Sequence, residues 1–155
     1  RNEWIGKNIR FYIEYQMELP VTVISSEIKR GCILDSNDFD KIDHGKFFAI
    51  IGEDGDNVIG AFFINSKINS FIFSKPKMLN LQYLLSCRKY TFLNYDSYLC
   101  CSKMITMNKS SLIKGLSDRR TTIKGELVAD DLENILQMVR SSDIYTELEK
   151  ETFFK

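Results

Sequence analysis

Few residues of this chain have types and spacings suited to chemistry, and His44 is the first of them. It is the only histidine in the 155-residue sequence, and it precedes Lys46 by two residues. An imidazole with an unperturbed pKa of about 6.5 can accept or release a proton near neutral pH. His44 is therefore a candidate general base, and the alternative is a solvated loop histidine.

The four cysteines do not indicate a metal site. They are Cys32, Cys87, Cys100 and Cys101, with no C-x-x-C motif and no Cys/His pair at ligand spacing. The adjacent Cys100 and Cys101 would point to opposite faces of a strand, which is poor geometry for one shared ion. We predict buried, reduced, structural thiols, hence no metal or other cofactor and a cytoplasmic location.

Charge is unevenly distributed along a chain whose net charge is zero. Residues 66–125 contain eleven Lys and Arg and two Asp, a net charge of +9, whereas residues 31–57 and 126–155 each carry −5. The basic segment is predicted to form a phosphate-binding face. The alternative is that its cations are scattered and pair with the acidic segments.

Three tyrosines accompany these cations. Tyr83, Tyr90 and Tyr95 are candidates for stacking nucleic-acid bases, and the alternative is that they pack at the rim of a β-core. The length is that of one domain. No stretch approaches the roughly 18 uninterrupted apolar residues of a membrane span, so no membrane association is predicted.

The elements that must position these side chains are organised around a hairpin. Two apolar runs, Phe47–Ile51 and Val58–Ile64, are each about strand length and contain no polar residue. Gly55 lies between them and can take the positive φ that a tight turn requires. Because the runs do not alternate apolar and polar residues, we predict strands that are buried on both faces.

The remaining predicted elements are short, and most are strands or loops. They are strands at Gly31–Leu34 and Leu79–Leu85, one bent strand over Tyr98–Cys101 and Met104–Met107, and loops at Asp35–His44 and Asn108–Arg120. Pro76 is expected to interrupt strand pairing. Residues 1–19 fit either a strand or a helix, and Val21–Ile24 follows as a short strand.

The last predicted element is a helix. Its apolar stripe at i, i+3, i+4 and i+7 consists of Leu132, Ile135, Leu136 and Val139. Asp130 is the predicted N-cap, with Glu133 three residues later, and the acidic residues beyond the helix are expected to fray.

These elements predict a mainly β fold, a small SH3-like barrel of short antiparallel strands with a terminal helix. Residues 1–30 form an N-terminal extension packing on the barrel, residues 31–142 the barrel domain with its helix, and residues 143–155 an acidic tail.

Parts of this sequence resemble the MazF/PemK-like toxin family. Asp96–Met107, the basic loop after it, and Lys124–Leu127 leading into the Asp130 helix resemble the family's C-terminal end. Gly31–Ile51 resembles its opening, a G-x-[IV] strand, a long loop, and Gly45-Lys46 entering an apolar strand. Asn65-Ser66 falls where the family carries a polar pair after the second hairpin strand. The resemblance covers roughly residues 31–140.

The resemblance implies metal-independent cleavage of single-stranded RNA by a homodimer that has an antitoxin-like protein as a partner. A 2′-hydroxyl attacks its adjacent phosphorus, so the protein must supply a base, an acid and cationic stabilisation. Lys46 occupies the position of the family's catalytic Arg, Ser66 that of the phosphate-binding hydroxyl, and Thr106 that of a later Ser or Thr. His44 is then the candidate base. The lysines expected to bind RNA are Lys67, Lys75, Lys77, Lys103 and Lys109.

Three positions depart from the family pattern. Lys46 lacks the bidentate fork of an arginine, Phe47 replaces a proline, and Ile105 lies where a basic residue often stands. Two alternatives to a ribonuclease therefore stay open. One is a degenerate member that binds RNA or an antitoxin-like peptide without cutting, and the other is an unrelated β-domain whose acidic and basic faces self-associate.

Overall fold

The computed structural model describes residues 25–39 and 45–155. Its strands are β1 (Cys32–Ser36), β2 (Lys46–Asp54), β3 (Val58–Asn65), β4 (Gln82–Leu85), β5 (Ser97–Cys100), β6 (Ile105–Asn108) and β7 (Thr121–Glu126). Its helices are a 3₁₀ helix (Ser70–Ser74), α1 (Pro76–Leu79), α2 (Lys109–Ser117), α3 (Ala129–Arg140) and α4 (Glu147–Phe153), and residues 25–27 are also helical. The predictions for residues 1–19 and Val21–Ile24, and His44 itself, lie outside the described residues.

The seven strands form one antiparallel sheet. Its order is β4-β5-β3-β2-β1-β7, and β6 pairs with β3 beside β5. The prediction of antiparallel strands followed by a C-terminal helix is confirmed, but the fold is mixed α/β and not mainly β, because several helices pack on the sheet. The prediction of a closed barrel is wrong, because in the described part of the chain β4 and β7 are opposite ends of an open sheet. Closure is unnecessary here, since helices cover both faces and bury them.

The predicted hairpin is confirmed and forms the centre of the sheet. In the β2–β3 register Phe48 lies opposite Phe63, and Asp54 lies opposite Val58. Gly55 in the turn has a φ of 62°, the left-handed conformation that a glycine adopts without strain. Successive residues of β2 enter different cores, because Ala49 packs in one buried cluster and Phe48 in the other. Burial on both faces therefore explains the unbroken apolar runs.

The two cores lie on opposite faces of this sheet. The first is covered by α3 and α4, whose buried side chains are Ile135, Leu136, Val139 and Phe153. The second is covered by α2 through Leu112 and Leu116, and by Ile28 from the segment before β1. The sheet is therefore the middle layer between two sets of helices.

Two predictions in the middle of the chain are wrong. The single bent strand is two strands, because β6 pairs with Val58–Ala61 and β5 pairs with Ile64–Asn65 along the same edge of β3. The loop predicted at Asn108–Arg120 is largely helix α2. The Asn108 side chain caps α2 by accepting a 2.8 Å hydrogen bond from the Ser110 amide.

Two further predictions near turns and ends are corrected. Pro76 does not interrupt a ladder, because it begins helix α1, where its missing N–H costs nothing. The acidic tail does not fray, because α4 begins with a capping box between Thr146 and Glu149 and ends with Phe153 and Phe154 in the core.

The predicted terminal helix is confirmed in type and stripe, but its N-cap is not Asp130. Helix α3 follows Val128, which forms no side-chain capping bond. The four cysteines are free thiols; Cys32 and Cys101 are buried, and the other two are half-buried. None of the helices within residues 25–39 and 45–155 has the length and apolar character needed to span a membrane.

Candidate functional site

A groove of about 300 Å³ opens where β2 begins and β3 ends. The two strands are antiparallel, so the first residue of one and the last residue of the other lie side by side. The residues that line the groove are Lys46, Asn65, Ser66, Lys67, Ile68 and Asn69. The structure thus brings together three of the residues predicted from the sequence, which are Lys46, Ser66 and Lys67.

Lys46 is the most constrained cation of the groove. Its Nζ donates a short hydrogen bond to Asn65 Oδ1 and lies 5.4 Å from the ring centroid of Phe63. Burial lowers the pKa of Lys46 below the ordinary lysine value of 10.5, and the nearby Cys100 thiol opposes this shift. The ammonium is therefore held in one place, partly out of water, where its attraction for an anion is stronger than at an open surface.

Ser66 and Lys67 complete the polar lining. Both side chains are exposed. Neither forms a hydrogen bond or ion pair with any residue in the described ranges, so the Ser66 hydroxyl and the Lys67 ammonium are available to a ligand. A phosphate group would fit this groove, because its oxygens carry negative charge and accept hydrogen bonds. The groove offers them the ammonium groups of Lys46 and Lys67 and the Ser66 hydroxyl, with the Asn65 amide beside Lys46.

Thr106 does not belong to this groove. It lies in β6 opposite Gly60, five residues along β3 from Asn65. At about 3.3 Å per residue, roughly 17 Å of strand separates the two positions. The fold therefore does not bring Thr106 into the groove with Lys46 and Ser66. His44 lies outside the described residues, two positions before Lys46.

The lysines predicted to bind RNA do not form one continuous face. Lys77 pairs with Asp143 at 2.7 Å, and Lys109 pairs with Glu53 at 3.4 Å near the far end of the hairpin. Lys67, Lys75 and Lys103 are exposed, and among the described residues no carboxylate lies within ion-pair distance of them. The alternative that basic and acidic segments pair is confirmed for Lys77 and Lys109.

A second polar cluster surrounds the buried carboxylate of Asp131. It accepts hydrogen bonds from the hydroxyl groups of Tyr83 (2.7 Å) and Tyr90, and Lys89 Nζ lies 3.2 Å away. Burial would raise the pKa of Asp131, but the hydrogen bonds from Tyr90, Tyr83 and Lys89 outweigh it and lower the pKa below 3.8. Burial and the bond to Asp131 raise the pKa of Tyr90.

The hydrogen bonds of Asp131 connect helix α3 to strand β4 and to the segment after β4. Tyr90 is 3% exposed, so its ring packs in the core as the alternative expected and is not available to a base. Tyr83 is half-buried and donates its hydroxyl hydrogen bond to the same carboxylate. Tyr95 is 65% exposed.

Two residues that contact Lys46 were not predicted as site residues, although the Asn65-Ser66 pair contributed to the family resemblance. Asn65 is the direct partner of Lys46, and Phe63 faces the lysine ammonium. Asn65 faces Lys46 because a β-bulge between Ile50 and Gly52 shifts the register of the hairpin by one residue, so that Phe48 lies opposite Phe63. Within the described residues, no three His, Cys, Asp or Glu side chains come together as a metal site would require. No protein-family model matches this chain, and no curated protein shows significant similarity to it.

Proposed function

We propose that this chain is an endoribonuclease of the MazF/PemK type that cleaves single-stranded RNA without a metal ion, with the scissile phosphate in the Lys46 groove. The observation that carries the proposal is the convergence of Lys46, Asn65 and Ser66 at the open end of the hairpin. Lys46 and the Asn65-Ser66 pair, which the resemblance implicates, belong to two separate segments of the sequence and line one groove of the folded chain. The proposal includes a homodimer and an antitoxin-like partner.

The proposed reaction is transesterification within the RNA. The 2′-oxygen forms a new bond to phosphorus, the bond from phosphorus to the 5′-oxygen breaks, and the products are a 2′,3′-cyclic phosphate and a 5′-hydroxyl. A base takes the 2′-proton, and an acid returns a proton to the 5′-oxygen. Lys46 and Ser66 would hold the non-bridging oxygens as negative charge grows on them. His44 is the candidate base in this scheme.

The second candidate function is RNA binding without cleavage. The observation that favours it is the contact between the Lys46 ammonium and Asn65 Oδ1, which already uses one of the three lysine donors. A lysine also offers a point charge instead of the planar fork of arginine. Binding and cleavage must therefore be measured separately.

The test is incubation of a mixed-sequence single-stranded RNA with the protein in EDTA. The variants are Lys46→Ala, Ser66→Ala and Lys114→Ala, the last an exposed α2 lysine outside the groove that controls for the loss of one positive charge. We expect the first two to slow cleavage about 100- to 1,000-fold and the control to cut like the wild type. Mass spectrometry should find 2′,3′-cyclic phosphate ends.

A strand of 2′-O-methyl RNA measures binding alone, because it lacks the attacking hydroxyl. If the wild-type protein retains this strand at low salt but leaves ordinary RNA intact, and the Lys46→Ala variant does not retain the strand, the chain is a binding module. If it neither cuts RNA nor retains the strand, both functions are excluded. Cleavage that persists unchanged in Lys46→Ala would place the activity elsewhere.

A further inference from the structure

Two phenylalanines project into solvent immediately beside the groove. Phe71 is 51% exposed and Phe73 is 61% exposed, both on the 3₁₀ helix Ser70–Ser74. An exposed aromatic ring gives up the apolar burial that phenylalanine gains in a core. Because a 3₁₀ helix turns about 120° per residue, the two rings lie on either side of the buried Ile72, and each offers an apolar face to a ligand.

The helix that carries these rings is fixed to the body of the protein. Ile72, between the two rings, is only 4% exposed. The Asn69 side chain accepts a hydrogen bond from the Phe71 amide at 3.3 Å, and the Lys75 amide donates to the Ile72 carbonyl at 2.9 Å. The rings are therefore presented outward by an anchored backbone.

The chain segment that carries the rings is positively charged. Lys67 and Lys75 flank the helix on its two sides in sequence, and both are exposed. Residues 57–95 contain no Asp or Glu at all. Aromatic rings between cations match a single nucleic-acid strand, whose bases stack on rings while its phosphates meet the cations.

The platform and the groove are joined through Asn69. This residue lines the groove and also caps the 3₁₀ helix. Since a 3₁₀ helix rises about 2 Å per residue, Phe71 and Phe73 lie about 4 and 8 Å along the chain axis from Asn69. These positions are within reach of the nucleotides next to a phosphate held by Lys46.

We propose that Phe71 and Phe73 form a stacking platform for the unpaired bases of the RNA strand whose phosphate occupies the Lys46 groove. This inference rests on the proposed function and specifies its substrate. The substrate must be single-stranded at this position, because the bases of a duplex are already stacked and cannot lie on the rings. Stacking accepts every base, so the platform selects single-stranded over double-stranded RNA but does not select a base sequence.

The experiment measures fluorescence anisotropy of two labelled 2′-O-methyl RNA strands of equal length. One has ordinary bases, and the other is abasic over most of its length. The protein variants are Phe71→Ala, Phe73→Ala, Phe71→Leu and Lys46→Ala. The matched control is Leu148→Ala, which removes an apolar side chain that is 73% exposed on helix α4.

We expect Phe71→Ala and Phe73→Ala each to weaken binding of the base-containing strand about 5- to 150-fold, with little change for the abasic strand. Phe71→Leu should weaken it too, because leucine keeps apolar bulk but has no aromatic face. Lys46→Ala should weaken both strands, and Leu148→Ala neither.

Two results would overturn the platform. In the first, the phenylalanine variants bind the base-containing strand as the wild type does, while Lys46→Ala loses both strands; the proposed function then stands without the platform. In the second, the variants lose self-association in sedimentation and bind RNA normally, so the rings pack against a second copy. If the phenylalanine variants bind the base-containing strand weakly and Lys46→Ala changes neither binding nor cleavage, the rings bind bases but no phosphate occupies the Lys46 groove. The proposed function then fails, and the placement of the platform beside that groove fails with it.

Discussion

Replacing Phe154 by alanine tests whether the C-terminal segment belongs to the core. Phe154 is fully buried, and its ring centroid lies 4.9 Å from that of Tyr145 and 6.0 Å from that of Phe62. Removing a buried phenylalanine side chain costs about 3–5 kcal/mol, from lost transfer free energy and from the cavity left behind. A domain of this size has a free energy of unfolding on the order of 5–15 kcal/mol, so the loss is a large fraction of the total.

Urea denaturation followed by circular dichroism measures this loss. With a slope of about 2 kcal/mol/M, the midpoint of Phe154→Ala should fall by about 1.5–2.5 M relative to the wild type. The control is Leu148→Ala on helix α4, which Phe154 directly follows; Leu148 is 73% exposed, and its replacement should change stability by less than about 0.5 kcal/mol. A loss below about 1 kcal/mol for Phe154→Ala would refute the packing of α4 against the sheet.

Three further predictions concern packing, pH and thiol reactivity. Gly52→Ala should destabilise the fold by about 2–3 kcal/mol in urea, because a Cβ there would lie 1.9 Å from the Phe153 carbonyl oxygen; unchanged stability would contradict this contact. Because the pKa of Asp131 is lowered in the folded state, the ionised carboxylate stabilises the fold fully above pH 3.8, and this stabilisation is lost as the pH falls through the folded-state pKa. Asp131→Asn should therefore flatten the acid side of the plot of unfolding free energy against pH. An equal slope in both proteins would refute this role of Asp131. Burial raises the pKa of the Cys101 thiol, and the Cys32 side chain is also almost completely buried, at 1% exposure. A thiol reagent should therefore label these two cysteines only in denaturant. Rapid labelling of both in the native protein would contradict their burial.

The central hairpin shows how far local sequence determines structure here. Its two apolar runs are strand-length, and its turn glycine is at the position that needs positive φ, so both strands and their pairing follow from residues close in sequence. The pairing of Lys46 with Asn65 does not follow from the turn alone, because a β-bulge between Ile50 and Gly52 shifts the register by one residue between the turn and Lys46. The hairpin could therefore be predicted from the sequence, whereas the pairing of Lys46 with Asn65 could not.

Helices α2 and α4 contain local signals for helix formation, but their polar composition led to the prediction of a loop and a frayed tail. Asn108 caps α2, and Leu112 and Leu116 form an i, i+4 pair within a segment that is otherwise polar. Thr146 and Glu149 form a capping box within a segment whose net charge is negative. Polar composition predicted a loop and a tail, whereas capping and a few apolar residues were sufficient for helices once a sheet face was available to pack on.

The sequence by itself determined the antiparallel hairpin, the stripe of α3, and the cations and hydroxyl groups that a phosphate site needs. Only the tertiary structure decided which of them share a site. Thr106 and Lys46 lie on strands that both contact β3, yet at different points along it, and this separation depends on strand pairing between distant segments. The same holds for Asp143 and Glu53, which neutralise two of the predicted RNA-binding lysines. Sequence spacing places two strands side by side in one hairpin, but the β-bulge sets which residues of this hairpin face each other, and contacts across 50 or more residues depend on how the whole sheet and its helices pack.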